Sequence, residues 1–258
     1  MLEHGLAEPT APERTVIVGA GGFVGGAIAR AMEARGAPIL RLGRGQINLL
    51  ADRAGAALAA HLRPGDAVVL VSAIAPVKNL QMLAQNVAMI DAMAEAIKTA
   101  SPAYVLNIGS DAVFADSPEP LHEGSSRAAE SFHGIMHLTR EVAFAEAYQG
   151  PLATLRPTLI YGADDPHNGY GPNRFRRLAA SGEAIKLFGQ GEERRDHVWV
   201  EDVAELAARM VMHRSTGSLN AVTGQVISFH DLAETCAALH GPVAIENLPR
   251  SGPMPHNG

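Results

Sequence analysis

The stretch from Thr15 to Arg30, TVIVGAGGFVGGAIAR, constrains the fold more than any other part of the sequence. Four β-prone residues lead directly into a glycine-rich segment, and an Ala-rich helical pattern follows. In such a strand–turn–helix unit the first glycine makes the tight turn, the second lets the backbone approach a pyrophosphate, and the third lets the helix pack on the strand. The alternative is a purely structural turn. We expect a dinucleotide site that includes Gly19, Gly22, Phe23, Val24 and Gly25.

Length, charge and cysteine content narrow the class of protein. The chain has 258 residues, enough for one large domain or a main domain with a small lobe. Its formal net charge of −6 argues against a nucleic-acid partner, and no apolar stretch is long enough to span a bilayer. The single cysteine, Cys236, cannot form an internal disulfide, which indicates a reducing compartment. The sequence therefore predicts a cytoplasmic protein that binds neither nucleic acid nor membrane.

Segments typical of strands and helices alternate through the first 160 residues. Buried strands are predicted at 15–18, 38–42, 67–72, 104–109 and 153–155, and helices at 51–62, 80–99 and 128–148. This alternation predicts an α/β fold, a Rossmann-type doubly wound parallel sheet with helices on both faces. Ligands of such sheets bind outside the carboxyl ends of the strands.

The amino-acid composition of the sequence changes after Tyr161. Residues 162–173 (GADDPHNGYGPN) form a loop rich in Gly, Pro, Asn and Asp, and shorter elements follow. We therefore predict a flexible leader over 1–14, a dinucleotide-binding domain over 15–161, a small C-terminal substrate-binding lobe over 162–248, and a flexible tail over 249–258. Within the lobe, 197–214 is expected to pack back on the sheet.

Two arginines near the end of the second strand bear on which cofactor is bound. Arg41 and Arg44 have no acidic residue nearby in the sequence, and guanidinium groups pair well with a 2′-phosphate. They favour NADP, with NAD still possible; the alternative is that both face solvent. Small residues after the third strand suit a loop that passes close to a cofactor. The remaining predicted cofactor contacts are Asn48, Leu49, Ala73, Ile74, Ala75, Asn86, His137 and Pro157.

Five segments, taken in order, resemble the extended short-chain dehydrogenases/reductases that act on nucleotide sugars as epimerases, dehydratases or reductases. They are GAGGFVG (19–25), GSDAVF (109–114), LRPTLIYG (155–162), RRDHVWVEDVA (194–204) and GSLNAVTG with SFHDLAE (217–234). The second is especially similar to the corresponding segment of dTDP-4-dehydrorhamnose reductases. The resemblance implies hydride transfer between a nicotinamide cofactor and a nucleotide-activated sugar. It also implies a homodimer paired through the two long helices.

Members of this family carry a Tyr-x-x-x-Lys pair on the helix after the fourth strand, and this chain has His133 and His137 at the matching positions. A histidine has an ordinary pKa near 6.5 and can exchange protons at neutral pH without a cationic helper. The imidazole is, however, shorter than a phenol. Two interpretations stay open: an active site in which His133 replaces the tyrosine, or a degenerate site that retains NADP binding as a sensor or interaction protein.

The resemblance also assigns further roles. Ser110 is expected to hydrogen-bond the reacting substrate oxygen, and Asp111 to assist as an acid or to cap the turn. A zinc site on the His133, His137 and Glu141 face is an alternative, but no fourth ligand is apparent, so no metal is predicted. The predicted substrate contacts in the small lobe are Asn168, Tyr170, Asn173, Arg174 and Arg195.

Overall fold

The computed structural model describes residues 2–117, 119–241 and 243–252. These residues form two compact units. The first contains the described residues up to Thr158 together with Val200–Ala221, and the second contains Leu159–Trp199 and the described residues from Val222 onward. The division falls three positions before the predicted boundary because Leu159–Tyr161 pairs with a strand of the second unit.

The strands and helices follow the predicted alternation closely. The strands are β1 Arg14–Val18, β2 Ile39–Leu42, β3 Asp66–Leu70, β4 Tyr104–Ile108, β5 Leu152–Pro157, β6 Leu159–Tyr161, β7 Ile185–Phe188, β8 Arg194–Trp199, β9 Gly217–Ala221, β10 Val226–Ser228 and β11 Ile245–Leu248. The helices are α1 Phe23–Glu33, α2 Ala54–Ala59, α3 Leu80–Ala100, α4 Phe132–Ala147, α5 Pro172–Ser181, α6 Val200–Met212 and α7 Phe229–His240.

The first unit is built on a six-stranded sheet of order β2-β1-β3-β4-β5-β9, in which every pairing is parallel. β3 and β4 are buried along their whole length, as expected for strands covered on both faces. The chain order reverses between β1 and β3, which is where open parallel sheets bind ligands. The predicted Rossmann-type fold is confirmed.

Helix boundaries follow the capping side chains. The Asn79 side chain accepts a hydrogen bond from the amide of Met82 and starts α3. The Ser131 hydroxyl accepts one from the amide of Gly134, so α4 begins at Phe132 and not at the predicted 128. The predicted helix over 51–62 is shorter, Ala54–Ala59, and begins after Arg53, which has a positive φ of 58°.

The N-terminal segment, predicted to be a flexible leader, makes defined contacts with the first unit. Glu3 forms a bridge with Thr216, and the amide of Leu6 donates to the carbonyl of His213. The rings of His4 and His213 stack with centroids 4.5 Å apart. Residue 1 and, of the predicted tail, residues 253–258 lie outside the described residues. Among the described residues, no helix combines the length and apolar character that crossing a membrane requires.

The second unit has its own core. β8 pairs with β6 and β10, and β7 pairs with β11. Between these strands and the two helices α5 and α7 lies a cluster of buried apolar side chains, with Tyr170 packed against it. Its buried members are Phe175, Ala179, Ile185, Leu187, Phe229, Ala233 and Cys236.

Candidate active site

The glycine loop has the close contacts that its sequence predicts. Gly19 has a φ of 104°, and a Cβ there would lie 2.7 Å from the amide nitrogen of Ser72. At Gly25 an added Cβ would lie 2.2 Å from the carbonyl oxygen of Gly19. Both positions therefore exclude any side chain. They hold α1 tightly against the ends of β1 and β3.

The middle of the loop is open on its outer side. Within the described part of the chain, an added Cβ at Gly21 meets nothing within 4 Å, and one at Gly22 meets only the Gly19 carbonyl, at 3.4 Å. Gly22 caps α1 without a side-chain hydrogen bond, and the first turn of α1 has no acidic residue. Exposed amides and the positive end of a helix suit a pyrophosphate. Phe23 and Val24, half-buried in that first turn, follow directly. The residues present fit a dinucleotide.

The two predicted arginines near the end of β2 have different surroundings. Arg41 donates to both carboxylate oxygens of Glu33, at 3.2 and 2.7 Å, so the structure pairs it with an acid that lies eight positions earlier. Arg44 is exposed on the turn after β2. That turn is adjacent to the glycine loop, because an added Cβ at Gly43 would lie 3.8 Å from the amide of Gly21. Asn48 bonds the amide of Leu50, and Leu49 is buried.

The loop after β3 is held by a buried amide. Asn86, on α3, accepts a hydrogen bond from the amide of Ile74 and donates to the carbonyls of Ile74 and Met82. These bonds use the polar atoms of its side chain, which is 1% exposed. Asn86 thus fixes the half-buried loop 73–75 and does not face outward. The role predicted for it as a direct cofactor contact stays a prediction.

At the end of β4 the two predicted polar residues form a short turn. The Ser110 hydroxyl donates to Oδ1 of Asp111 at 3.1 Å and accepts from the amide of Ala112 at 3.2 Å. Ser110 thereby caps a 3-10 turn over Asp111–Val113. Both side chains are half-buried.

Gly134 brings α4 against this turn. An added Cβ at Gly134 would lie 2.0 Å from the carbonyl oxygen of Ala112. Only a glycine permits that approach, which places the first turn of α4 beside Ser110 and Asp111. The sequence contained the signal, a glycine directly after His133, but not the contact that explains it.

The two histidines of α4 form an edge-to-face pair with ring centroids 4.7 Å apart. Burial lowers the pKa of His133, while the carboxylate of Asp111 acts in the opposite direction. The pKa of His137 lies well below its ordinary value because of burial and the nearby His133 and Arg140. Nδ1 of each ring is buried and has no hydrogen-bond partner among the described residues. At neutral pH His137 is therefore an uncharged ring.

Arg140 is a charged residue that sequence reasoning missed. It is 1% exposed and donates to the carbonyls of Leu70 and Ser72 and to Oδ1 of Asn107. Burial lowers the pKa of Arg140 to about 10, so it stays protonated at neutral pH. Its position three residues after His137 was the only signal in the sequence.

Glu141 is bound by two arginines. Its carboxylate accepts from Nε and Nη2 of Arg156, at 2.6 and 2.8 Å, and from Nη1 of Arg127 at 2.9 Å. With both oxygens in ion pairs, Glu141 is unsuited to complete a zinc site with the two histidines. Pro157, the next predicted cofactor contact, is buried at the end of β5 and pairs in register with Ala221.

In the second unit the polar atoms of three predicted substrate residues make internal contacts. Asn173 bonds the amide of Gly162 and Oδ2 of Asp165. Asn168 accepts from Nη1 of Arg177, and the Tyr170 hydroxyl accepts from the amide of Phe188. These bonds shape the loop over 162–171. The predicted role of these side chains in binding substrate stays a prediction.

The two predicted substrate arginines are more available. Arg174 is exposed at the first turn of α5, and Arg195 is half-buried on β8 with Nε 3.3 Å from Oε1 of Glu193. Sequence reasoning did not single out His197, two residues further on. It is 9% exposed, and neither ring nitrogen has a hydrogen-bond partner of good geometry among the described residues.

Several solved structures share the fold of this chain at low sequence identity. RMD from Pseudomonas aeruginosa, complexed with NADPH, aligns with a TM-score of 0.81 at 19% identity over 95% of this chain and 88% of that one. A UDP-N-acetylglucosamine 4-epimerase from Methanobrevibacter ruminantium, in complex with UDP-N-acetylmuramic acid, aligns with a TM-score of 0.79 at 21% identity, over 96% of this chain and 89% of that one. A UDP-glucose 4-epimerase from Thermus thermophilus, in complex with NAD, aligns with a TM-score of 0.78 at 20% identity, over 94% of this chain and 89% of that one.

A family model covers most of the chain. The model of the NAD dependent epimerase/dehydratase family matches residues 15–222, from β1 to the residue after β9. This span contains the glycine loop, the Ser110–Asp111 turn and both histidines of α4. The chain belongs to the NAD dependent epimerase/dehydratase family.

Proposed function

We propose that this protein is an NAD(P)-dependent oxidoreductase or epimerase that acts on a nucleotide-activated sugar. The observation that carries the proposal is the meeting of the His133–His137 pair with the Ser110–Asp111 turn, made possible by Gly134. Both groups lie at the carboxyl-end side of the sheet that also carries the glycine loop. Among these reactions we favour the reduction of a 4-keto sugar, because the Ser110–Asp111 segment resembles that of dTDP-4-dehydrorhamnose reductases.

Each polar group has a defined task in this proposal. A bound nicotinamide supplies or accepts the hydride. Ser110 donates a hydrogen bond to the substrate oxygen, and its existing bond to Asp111 is exchanged for that contact. His133 gives or takes the proton of the same oxygen, which a ring with a pKa near or below neutrality can do without a lysine. His137, as a neutral ring, offers a hydrogen bond to the cofactor ribose.

The cofactor proposal is NADP, with Arg44 as the main determinant. Arg44 is exposed beside the glycine loop, whereas the guanidinium of Arg41 already pairs with Glu33. In the double variant Arg41→Asp, Arg44→Asp the ratio of NADPH to NADH affinity should fall at least tenfold, because a 2′-phosphate would lose its cation and meet carboxylates. An unchanged ratio would overturn the NADP assignment. The single variant Arg41→Asp is the control, and it should produce the smaller part of the fall in the affinity ratio.

The sugar nucleotide is assigned to the second unit. Arg174 and Arg195 are its cationic candidates for a diphosphate, and Asn168, Tyr170 and Asn173 the predicted polar contacts. Arg195→Met should raise the KM for a nucleotide sugar at least tenfold while leaving cofactor affinity within twofold. Arg194→Met, an exposed neighbour, is the matched control.

Calorimetry and a substrate panel test the proposal as a whole. Purified protein is titrated with NADP⁺, NADPH, NAD⁺ and NADH, and then assayed with nucleotide-linked keto-sugars and 4-epimeric sugars. We expect micromolar binding of at least one nicotinamide nucleotide and turnover of at least one sugar. Absence of binding to all four nucleotides would overturn the proposal.

The pH profile tests His133 separately. In the oxidative direction the neutral ring accepts the proton, so the rate should fall as pH drops below its lowered pKa; in the reductive direction it should fall as pH rises above that pKa. Asp111 raises the pKa of His133, so Asp111→Asn should shift both limbs to lower pH. A shift to higher pH would contradict the assignment.

A second candidate function is a non-catalytic NADP-binding sensor or interaction protein. The observation that favours it is the neutrality of His137, whose position carries a lysine in the family. Binding of NADPH without turnover of any sugar in the panel would support this candidate.

We also propose a homodimer that pairs through α3 and α4. Exposed apolar side chains follow one face of α4 at helical spacing, Phe132, Ile135 and Val142, and Val87 is exposed on α3, which packs against α4. The variant Ile135→Glu, Val142→Glu should convert a dimer to a monomer in light-scattering measurements. A wild-type monomer at ~10 µM would contradict the proposal.

A further inference from the structure

Arg140 is a buried cation whose described partners are all neutral oxygens. Its three donor groups reach the carbonyls of Leu70 (2.9 Å) and Ser72 (2.7 Å) and Oδ1 of Asn107 (3.2 Å). Its Cζ also lies 5.3 Å from the ring centroid of Phe144. Among the described residues no carboxylate pairs with it. Burying a guanidinium in this way is costly, so a structural role alone would be better served by an uncharged side chain.

The contacts of Arg140 join α4 to the strand ends that adjoin the glycine loop. Ser72 lies next to that loop, because its amide is 2.7 Å from an added Cβ at Gly19 and donates to the carbonyl of Val18. Arg140 follows His137 by three residues and His133 by seven, so the three side chains share one face of α4. The hydrogen bonds of this one side chain therefore connect the helix that carries both histidines to the strand ends next to the glycine loop.

We propose that Arg140 is a positioning residue for the candidate active site: it fastens the helix that carries His133 and His137 to the ends of β3 and β4, and it holds a permanent positive charge near the ring of His137. The inference rests on the proposed function only where turnover is concerned. The charges acting on His137 come from its own helix, His133 and Arg140. Asp111, on the 3-10 turn, acts on His133, and the buried face of α3 carries no ionisable side chain.

Two variants separate position from charge, and Arg127→Met is the matched control because Arg127 is an arginine of the same region with a half-exposed side chain. Arg140→Met removes both the fork of hydrogen bonds and the charge, and Arg140→Lys keeps the charge only. The titration of the His137 ring is followed by NMR in cofactor-free protein, with His137→Gln used for assignment. Arg140→Met should raise the pKa of His137 by about one unit, whereas Arg140→Lys and Arg127→Met should leave it nearly unchanged.

Turnover tests the positioning role. Both Arg140 variants should lower kcat at least tenfold with the KM for cofactor changed less than threefold, and Arg127→Met should change neither tenfold. A wild-type kcat in Arg140→Lys would overturn positioning by the fork. An unchanged His137 titration in folded Arg140→Met would overturn the role of the charge.

A measurement on the unmodified protein remains decisive if Arg140→Met does not fold. The guanidinium protons of Arg140 should exchange with solvent at least tenfold more slowly than those of Arg127, because they are buried and hydrogen-bonded. Equal exchange rates would overturn the inference. Exchange and titration need no substrate, so an inactive protein that passes both tests counts against the proposed function alone.

Discussion

The two units each bury histidine, and the surroundings of those rings differ. In the first unit His133 and His137 lie on α4 beside Ser110, Asp111 and Arg140. In the second unit His197 lies against the ring of Phe229, with Nε2 3.8 Å from an added Cβ at Gly171. Burial lowers the pKa in all three cases, and it brings that of His197 to about 4.

Burial is enough to lower the pKa of all three rings, but burial alone does not make a histidine a candidate for catalysis. A proton-transferring ring needs a neighbour that orients it or adjusts its pKa, and a path to a reacting oxygen. The α4 pair lies beside the hydroxyl of Ser110 and the carboxylate of Asp111. His197 instead packs against the ring of Phe229, and the charges of Asp196 and Arg195 act on its pKa in opposite directions. We therefore propose proton transfer at the first site and expect the second histidine to reduce stability in acid.

The largest expected effect comes from removing His133. His133→Ala should lower turnover by about 10²–10⁴-fold, the usual contribution of a general acid or base, with cofactor affinity within about twofold. His197→Phe is the matched control at a buried histidine, and its turnover should stay within about threefold of the wild-type value. Turnover and calorimetric titration of both variants test the contrast. Equal losses in the two variants would remove the distinction between the sites.

The next effect concerns acid stability and His197. Its folded pKa of about 4 lies below the unfolded value of about 6.5, so the unfolded chain binds the proton first. The free energy of unfolding should be unaffected by this group above pH 6.5, fall by about 3 kcal/mol as pH drops to 4, and level off below that.

Urea unfolding at pH 7 and pH 4.5 measures this effect. His197→Phe should lose less stability between the two pH values than the wild type, whereas exposed His61→Gln should match the wild type. Equal pH dependence in wild type and His197→Phe would show that folding does not lower the pKa of His197.

Gly134→Ala should have an intermediate effect. The added methyl group would lie 2.0 Å from the carbonyl of Ala112, so α4 must move away from the Ser110–Asp111 turn. Overpacking of this kind costs about 1–3 kcal/mol, and the displaced histidines should lower turnover at least tenfold. Thermal unfolding and kinetics measure both. Gly26→Ala, in α1 with only ordinary contacts of 3.6 Å or more, should not destabilise the protein.

The smallest effect is expected at Tyr170. Its hydroxyl accepts a hydrogen bond from the amide of Phe188 while its ring packs on Phe175 and Phe229. Tyr170→Phe should therefore cost about 1 kcal/mol of stability and change the KM for a nucleotide sugar less than twofold. A tenfold rise in KM with unchanged stability would instead support the sugar contact predicted from the sequence.

The sequence by itself determined the fold class and the family. The spacing of Gly19, Gly22 and Gly25 after a β-prone run has few other uses, and the alternation of strand and helix patterns leaves one sheet type. The sequence also predicts that His133 and His137 stand where the family carries tyrosine and lysine, because the residues around them resemble the family motif. These features are local, so they can be read from neighbouring residues.

Only the tertiary structure decided the partners of the polar residues. Arg41 pairs with Glu33, eight positions earlier in the chain, and Asn86 holds the loop after β3. The roles of Arg140 and Gly134 follow from contacts that only the structure shows. Arg140 bonds the carbonyl of Ser72, after β3, and Gly134 lies against the carbonyl of Ala112 in the 3-10 turn. Hydrogen bonds and pKa values depend on groups that are distant in the chain and on how much water the fold excludes. No local pattern contains that information.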